Sequence, residues 1–326
     1  MAFELSVVLA PHPAALALAL VIDSAVGDPD YRAHPVRLMG GALLMAERAL
    51  RELGASGYGG GVALFLALAT MWVGGASIAV LIARDTSVWL GWSLHLFMLS
   101  SLLALGSLLA HGWQVERALR REDLTAARLA VARLVGRDTD RMCAGACRRA
   151  TIESLSENLT DGFTSALFWY VVAGLPGLVL FKVVSTMDSM VGYKTPHYLR
   201  FGWCGARLDD LMNLLPARTT WLLVAIAATA IPGCSGRKAL CVGWQQHAIL
   251  PGPNPGWSEA AVAGAIQRRL VGPIWMKGRQ VTDQWLGDPA DAAAETSQDF
   301  FRALSVIVVA GVLASAMAIG LAAWLS

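Results

Sequence analysis

Four stretches of this chain run for roughly the thickness of a bilayer without one Asp, Glu, Lys or Arg: 5–22, 61–83, 89–110 and 303–325. About 20 mainly apolar residues suffice for a helix to cross the hydrocarbon layer. In that layer every backbone N–H and C=O must be satisfied inside the segment, which leaves helices as the only fold open to such stretches. The rest of the composition agrees, because only 15% of the 326 residues are charged, where a soluble domain carries about a quarter. Trp89, Trp92 and Trp324 stand where interfacial anchors belong. The expected fold is all-α: a multi-pass membrane helical bundle with cytoplasmic helical loops, residues 1–326 forming a single integral membrane domain. The 5–22 stretch lacks a basic flank and a small-residue cleavage site, so it reads as a span and not as a removed signal peptide.

Two further apolar stretches are interrupted. Gly174-Leu175-Pro176-Gly177 divides 162–184, and 220–231 stops at Pro232-Gly233. Both are expected to be broken or re-entrant. Arginine is concentrated in two connections, 24–60 and 111–161, which the positive-inside rule assigns to the cytoplasm. Segment 115–135 reads as one amphipathic surface helix. The loops 111–161 and 234–302 are expected on the cytoplasmic face, with 245–297 polar, rich in Gly and Pro, and carrying short helices. A net charge of +2 offers no field for nucleic acid. Five cysteines, 143, 147, 204, 234 and 241, form neither a disulfide framework nor a zinc set, and read as reduced thiols.

The acids are gathered in four blocks beside apolar segments. The first joins Asp23 to Gly27-Asp28-Pro29 and His34-Pro35-Val36, where a turn can fold Asp28 and His34 back toward Asp23. In the second, Glu153, Glu157 and Asp161 recur every four residues and share one helical face. No Lys or Arg relieves their repulsion between 150 and 181, so the stripe calls for a cation such as Mg²⁺. The third carries Asp188, Tyr193 and Lys194, then Arg207, Asp209, Asp210 and Asn213, then Arg218. Its acids and amide suit Mg²⁺ on a phosphate, and its cations suit the phosphate oxygens. The fourth, Pro253-Asn254-Pro255-Gly256-Trp257-Ser258-Glu259, reads by itself as a rigid turn entering a helix, with Ser258 as N-cap and Glu259 in the first turn. No P-loop, Rossmann glycine pattern or Ser-His-Asp signal is present.

In this order the blocks resemble the adenosylcobinamide-phosphate synthase family of cobalamin biosynthesis (CobD/CbiB). The matching motifs are Asp23 with Gly-Asp-Pro at 27–29 and His-Pro-Val at 34–36, IES-x-x-EN-x-x-DG at 152–162, DSMVGY at 188–193 and FGW at 201–203. ARLDDLMN at 206–213 with PAR at 216–218, and PN-x-GW-x-EA at 253–260, complete the set. The resemblance implies an ATP- and Mg²⁺-dependent amide ligase that joins adenosylcobyric acid to (R)-1-amino-2-propanol phosphate or a related amino-alcohol phosphate. It implies a multi-pass protein of the bacterial inner membrane with its site facing the cytoplasm, surrounded by membrane lipid, served by soluble corrinoid-pathway enzymes and open to homo-oligomerisation. For such chemistry the candidate catalytic residues are His34, Glu157 and Asp161, since an attacking amine must lose a proton to a base. Asp23, Asp28, Glu153, Asp188, Asp209 and Asp210 are the candidate metal ligands. Lys194, Arg207, Arg218, Asn158, Asn213, Tyr193, Asn254 and Trp257 are the candidates for phosphate and substrate. Ser258 stands where the family usually has Pro, and Thr195-Pro196-His197 replaces a more polar, acidic stretch.

Two other classes use acids at membrane helices. A Mg²⁺-dependent prenyl or phosphoalcohol transferase would carry a second Asp-rich repeat, which the chain lacks. A transporter would be built from paired inverted halves, which the unequal loops oppose. A non-catalytic membrane scaffold for the corrinoid pathway is the third alternative.

Overall fold

The structure, a computed structural model, describes residues 8–27, 31 and 33–325. The expected helical membrane architecture is there. Among the described residues four helical runs are long and apolar enough to cross a membrane: Tyr58–Thr86, Val88–Arg120, Ala144–Val191 and Ser297–Leu325. A bent pair, Trp203–Met212 with Leu214–Thr229, turns through 43° and makes a fifth if counted as one broken element.

The chain forms two compact units. The first contains α1 (Pro13–Val26), α2 (Pro35–Glu52), α3 (Tyr58–Ala69), a π-helical turn at Thr70–Gly74, α4 (Gly75–Thr86) and α5 (Val88–Leu102). The second contains α6 (Leu105–Arg120), α7 (Leu124–Val131), α8 (Ala144–Asn158) and a second π-helical turn at Leu159–Thr164. The chain then re-enters the first unit with α9 (Ser165–Val191) and α10 (Trp203–Met212). It returns to the second with α11 (Leu214–Thr229), α12 (Gly236–Gln246), α13 (Pro255–Ile266) and four short strands. The final helix, α14 (Ser297–Leu325), supplies its last residues to the first unit and the remainder to the second.

In the first unit a polar network ties the early chain to the helices. The buried His95 ring meets the Val8 carbonyl through Nδ1 at 2.7 Å and the Tyr170 hydroxyl through Nε2 at 3.0 Å, and His12 N–H donates to the same hydroxyl at 3.1 Å. A buried network of this kind is favourable only when all its members are satisfied. In the second unit Glu116, wholly buried, receives Arg148 at 2.8 Å and the Ser297 hydroxyl at 2.5 Å, which joins α6, α8 and the start of α14.

Four expectations from the sequence change. The first apolar stretch gives only the 14-residue α1, because Pro13 at the helix start and the His12 ring, accepting Ala15 N–H at 3.3 Å, fix the N-terminus there. Residues 5–7 lie outside the described chain. The surface helix expected at 115–135 is two helices. Glu122 adopts a left-handed φ of 60° and the Asp123 carboxylate caps α7 through Ala126 N–H at 2.8 Å. The 245–297 region is not merely a loop. It holds α13, in which every residue from Gly256 to Ile266 is buried, and two small antiparallel sheets, β1 (Leu270–Val271) with β4 (Trp285–Leu286) and β2 (Ile274–Met276) with β3 (Arg279–Thr282). A helix apolar on all sides belongs in a core, and at Gly264 of α13 an added Cβ would come within 2.4 Å of the Lys238 carbonyl of α12. The fourth concerns Ser258 and Glu259. Asn254 is the N-cap and Pro255 opens α13, so Ser258 lies within the helix, donating to the Pro255 carbonyl at 3.3 Å, and Glu259 lies beyond the first turn.

The expected break at 174–177 is present, since α9 is non-helical at Ala173 and Gly174. Gly174 has φ +62°, and an added Cβ would fall 2.0 Å from the Leu9 carbonyl oxygen. Gly174→Ala is therefore expected to cost more than about 1 kcal/mol and to lower the thermal unfolding midpoint in detergent, read by tryptophan fluorescence. An unchanged midpoint would show that the neighbouring chain yields.

Candidate active site

The candidate residues divide between the two units. In the second unit they converge on α8. Glu153, buried in the middle of this helix, accepts Arg137 Nη2 at 2.6 Å on one oxygen and Val271 N–H at 3.0 Å on the other. Its carboxylate is thus engaged by a guanidinium from the chain before α8 and by an amide of β1. Glu157, one turn on, is exposed, and Asp161 is half-buried in the π-helical turn that follows. That turn departs from the regular 3.6-residue repeat assumed for the acidic stripe. Asn158 is bound locally, its amide donating to the Ser154 carbonyl at 2.9 Å.

Opposite these acids stands a residue that by its place in the chain alone is a helix-start feature. Glu259 of α13 is buried, with burial and then the charges of Glu157 and Glu153 raising its carboxyl well above the usual carboxylate range. Arg137 opposes that rise, and Asp161 adds to it. The available signal was an acid placed directly before seven small or apolar residues, 260–266. A buried carboxyl of raised pKa in an acidic cluster is a candidate for proton exchange with a substrate.

The remaining second-unit candidates form a neighbouring group. Arg218 of α11 donates to the Leu214 carbonyl at 2.7 Å and reaches Asn254 Oδ1 at 3.5 Å, and its guanidinium lies 4.9 Å from the centre of the Trp257 ring. Trp257, 4% exposed, stacks on His247 at 3.9 Å and packs on Trp221 at 5.0 Å.

In the first unit α9 and α10 carry the third block. Gly192 closes over Asp188, whose carbonyl accepts Gly192 N–H at 2.8 Å, and a Cβ at Gly192 would lie 2.1 Å from Asp188 Oδ1. The glycine of the DSMVGY motif is thus what lets the chain turn against that carboxylate. Asp188 and Asp210 are near enough to repel each other. Asp210 pairs with Arg207 at 3.3 Å, in the open. Asn213 donates to Asp209 at 2.9 Å and receives the Ser165 hydroxyl, so its buried amide is held at both ends. Tyr193 and Lys194 are exposed on the loop after α9. Asp23 is buried on α1, and the buried His34, just before α2, meets the Tyr31 ring edge-on at 5.3 Å. Asp28 lies outside the described residues.

Among the described residues no group of three or more His, Cys, Asp or Glu is arranged to hold a metal ion. Magnesium does not need such a cage, because it commonly takes one or two carboxylates and completes its shell with water and substrate phosphate. With Glu153 engaged by Arg137, the donors of matching chemistry in this cluster are Glu157 and Asp161.

The family model described as CobD/Cbib protein matches residues 16–307. The chain belongs to the CobD/CbiB family. It is 38% identical to the cobalamin biosynthesis protein CbiB of Salmonella arizonae over 95% of this chain and 97% of that one. It is 42% identical to the cobalamin biosynthesis protein CobD of a Sinorhizobium species, over 93% and 97%. With the CobD of Klebsiella pneumoniae the identity is 37%, over 94% and 97%. No solved structure matches the chain. The similarity therefore extends over nearly the whole length of these relatives.

The raised Glu259 carboxyl makes stability depend on pH in a defined direction. The folded chain keeps this proton to higher pH than the unfolded chain, where Glu titrates near about 4.3. The contribution is full below that value and is lost as pH rises through the folded pKa. Glu259→Gln escapes this loss. In EDTA its unfolding midpoint is expected to match the parent near pH 4 and to exceed it at pH 8, and a constant difference across that range would contradict the assignment.

Proposed function

We propose that this chain is an enzyme of cobalamin biosynthesis that joins the carboxylate of adenosylcobyric acid to the amine of an amino-alcohol phosphate, with ATP and Mg²⁺, at the cytoplasmic face of the inner membrane. The observation that carries this reading is the carboxyl cluster on α8 and α13, with the buried Glu259 at its centre, in a member of the CobD/CbiB family.

Amide formation sets two demands. A carboxylate acylates poorly, so one of its oxygens first takes the γ-phosphoryl group of ATP and ADP departs. The amine nitrogen then attacks the acyl carbon, a C–N bond forms, phosphate leaves with the C–O electrons, and the amine yields a proton. Glu259 is the candidate for the last role, because the raised proton affinity of its carboxyl makes the ionised form a stronger proton acceptor than an ordinary carboxylate. Glu157 and Asp161 would hold Mg²⁺, which supplies neutralising charge at phosphate oxygens when bound. Glu153 keeps its position through Arg137 and leaves the cluster one guanidinium to offset its acids. Lys194 and Arg207, both exposed, are suited to the phosphate of a substrate, as is the fork of Arg218 beside Asn254. Soluble enzymes of the pathway would deliver the amino-alcohol phosphate.

The test is incubation of the purified protein in detergent with adenosylcobyric acid, aminopropanol phosphate, ATP and Mg²⁺, with mass spectrometry of the corrinoid and of the nucleotide. The expected products are the amide, ADP and phosphate. AMP and diphosphate would instead identify an adenylate. Glu259→Gln is expected to lower kcat by about 10²-fold or more, the range for a lost general base, with little change in corrinoid binding. Corrinoid binding without amide formation would favour the scaffold reading.

A further inference from the structure

The second unit contains a cavity that none of the candidate residues lines. It has a volume of about 650 Å³, within the span that houses drug-sized ligands, and lies between the chain before α8, the first turns of α8 and the β2–β3 hairpin. Three guanidinium groups, Arg137, Arg141 and Arg149, share its wall. Arg137 spends one Nη on Glu153 and Arg149 one on Glu295, yet the Nε–H of each is buried without a hydrogen-bond partner. Donors left in that state are costly until an acceptor arrives. Arg141 is exposed and makes no ion pair among the described residues.

Two carboxylates also face the cavity. Asp138 is occupied by the hairpin, accepting Lys277 N–H at 3.1 Å and Gly278 N–H at 2.7 Å, which leaves Asp140 on the rim against three cations. Cys143 and Ala146, at the start of α8, bring the positive end of that helix to the same wall. The remaining surface is mainly apolar and includes Met142, Val271, Pro273 and the half-exposed Trp275 indole.

We infer that this cavity binds a nucleoside polyphosphate, its phosphates on Arg137, Arg141 and Arg149 and its base against Trp275. Planar guanidinium forks match phosphate oxygens bidentately, and an indole face accepts an aromatic base by offset stacking. An amino-alcohol phosphate shares the anionic group but has no aromatic body for Trp275 and would leave most of the volume empty. The assignment rests on the ligase reading only for its choice of ATP as the nucleotide.

The experiment measures ATP binding to the full-length protein in detergent by calorimetry, for the parent, Arg141→Gln and Trp275→Ala, and then irradiates each with 8-azido-ATP. Arg141 and the Trp275 indole are exposed enough that both variants should elute with the parent on gel filtration. Both are expected to bind ATP about tenfold more weakly, Arg141→Gln through loss of one charge-assisted contact and Trp275→Ala through loss of one base–aromatic stack. The photolabel is expected on peptides containing Met142 or Trp275, with free ATP preventing it and aminopropanol phosphate not. Equal affinity in all three proteins, a label elsewhere, no ATP binding by the parent, or protection by aminopropanol phosphate would each overturn the assignment. Corrinoid amide formation is followed separately. ATP-dependent product with unchanged KM for ATP in both variants would remove the cavity and leave the ligase reading intact, whereas ATP bound at the cavity without product would do the reverse.

Discussion

Removing a carboxylate from water costs several kcal/mol unless a partner replaces the lost hydration, and the second unit is arranged around that cost at Glu153. One oxygen is given to Arg137 and the other to the Val271 amide, so a single side chain ties the connection before α8, α8 itself and strand β1. Remove the guanidinium and the buried charge is stranded. Remove the carboxylate and Arg137 loses its anchor beside the cavity. The next acid, Glu157, is spared this demand because it is exposed. Glu259 meets it differently, by favouring its proton.

Three of the four uninterrupted apolar stretches, 61–83, 89–110 and 303–325, are legible as spans because they rest on length and apolarity alone, whereas 5–22 gives only the short α1. The break at Gly174 was legible for the related reason that Gly and Pro act on the local backbone. Periodicity alone runs 115–135 together through Glu122 and Asp123, whose left-handed φ and capping carboxylate, respectively, end one helix and begin another. The site was readable as a set of blocks but not as an arrangement. Spacing brought Asp209 together with Asn213, four residues apart on one helix. Spacing could not bring Glu259 to Glu157, about a hundred residues away, because that proximity depends on α13 being buried on every side. Nor could it show that exposure differs along one acidic stripe, from the buried Glu153 to the exposed Glu157.

The same arginine belongs to both features of the second unit. Arg137 neutralises Glu153 on one side and lines the cavity on the other. An anion bound in the cavity would therefore compete for the guanidinium that holds Glu153.

The hairpin that walls the cavity is held in an unusual way. Asp138 grips it through two main-chain amides and returns its own N–H to the Trp275 carbonyl at 2.9 Å. The grip reads backbone shape and is indifferent to most of the side chains it holds, apart from the left-handed turn at Lys277 and Gly278. The hairpin thus behaves as an exchangeable part: the residues that face a ligand can be rewritten while the attachment stays put. A lineage adapting to a different small molecule has at this place a surface it can alter one residue at a time, without first dismantling the fold beneath it.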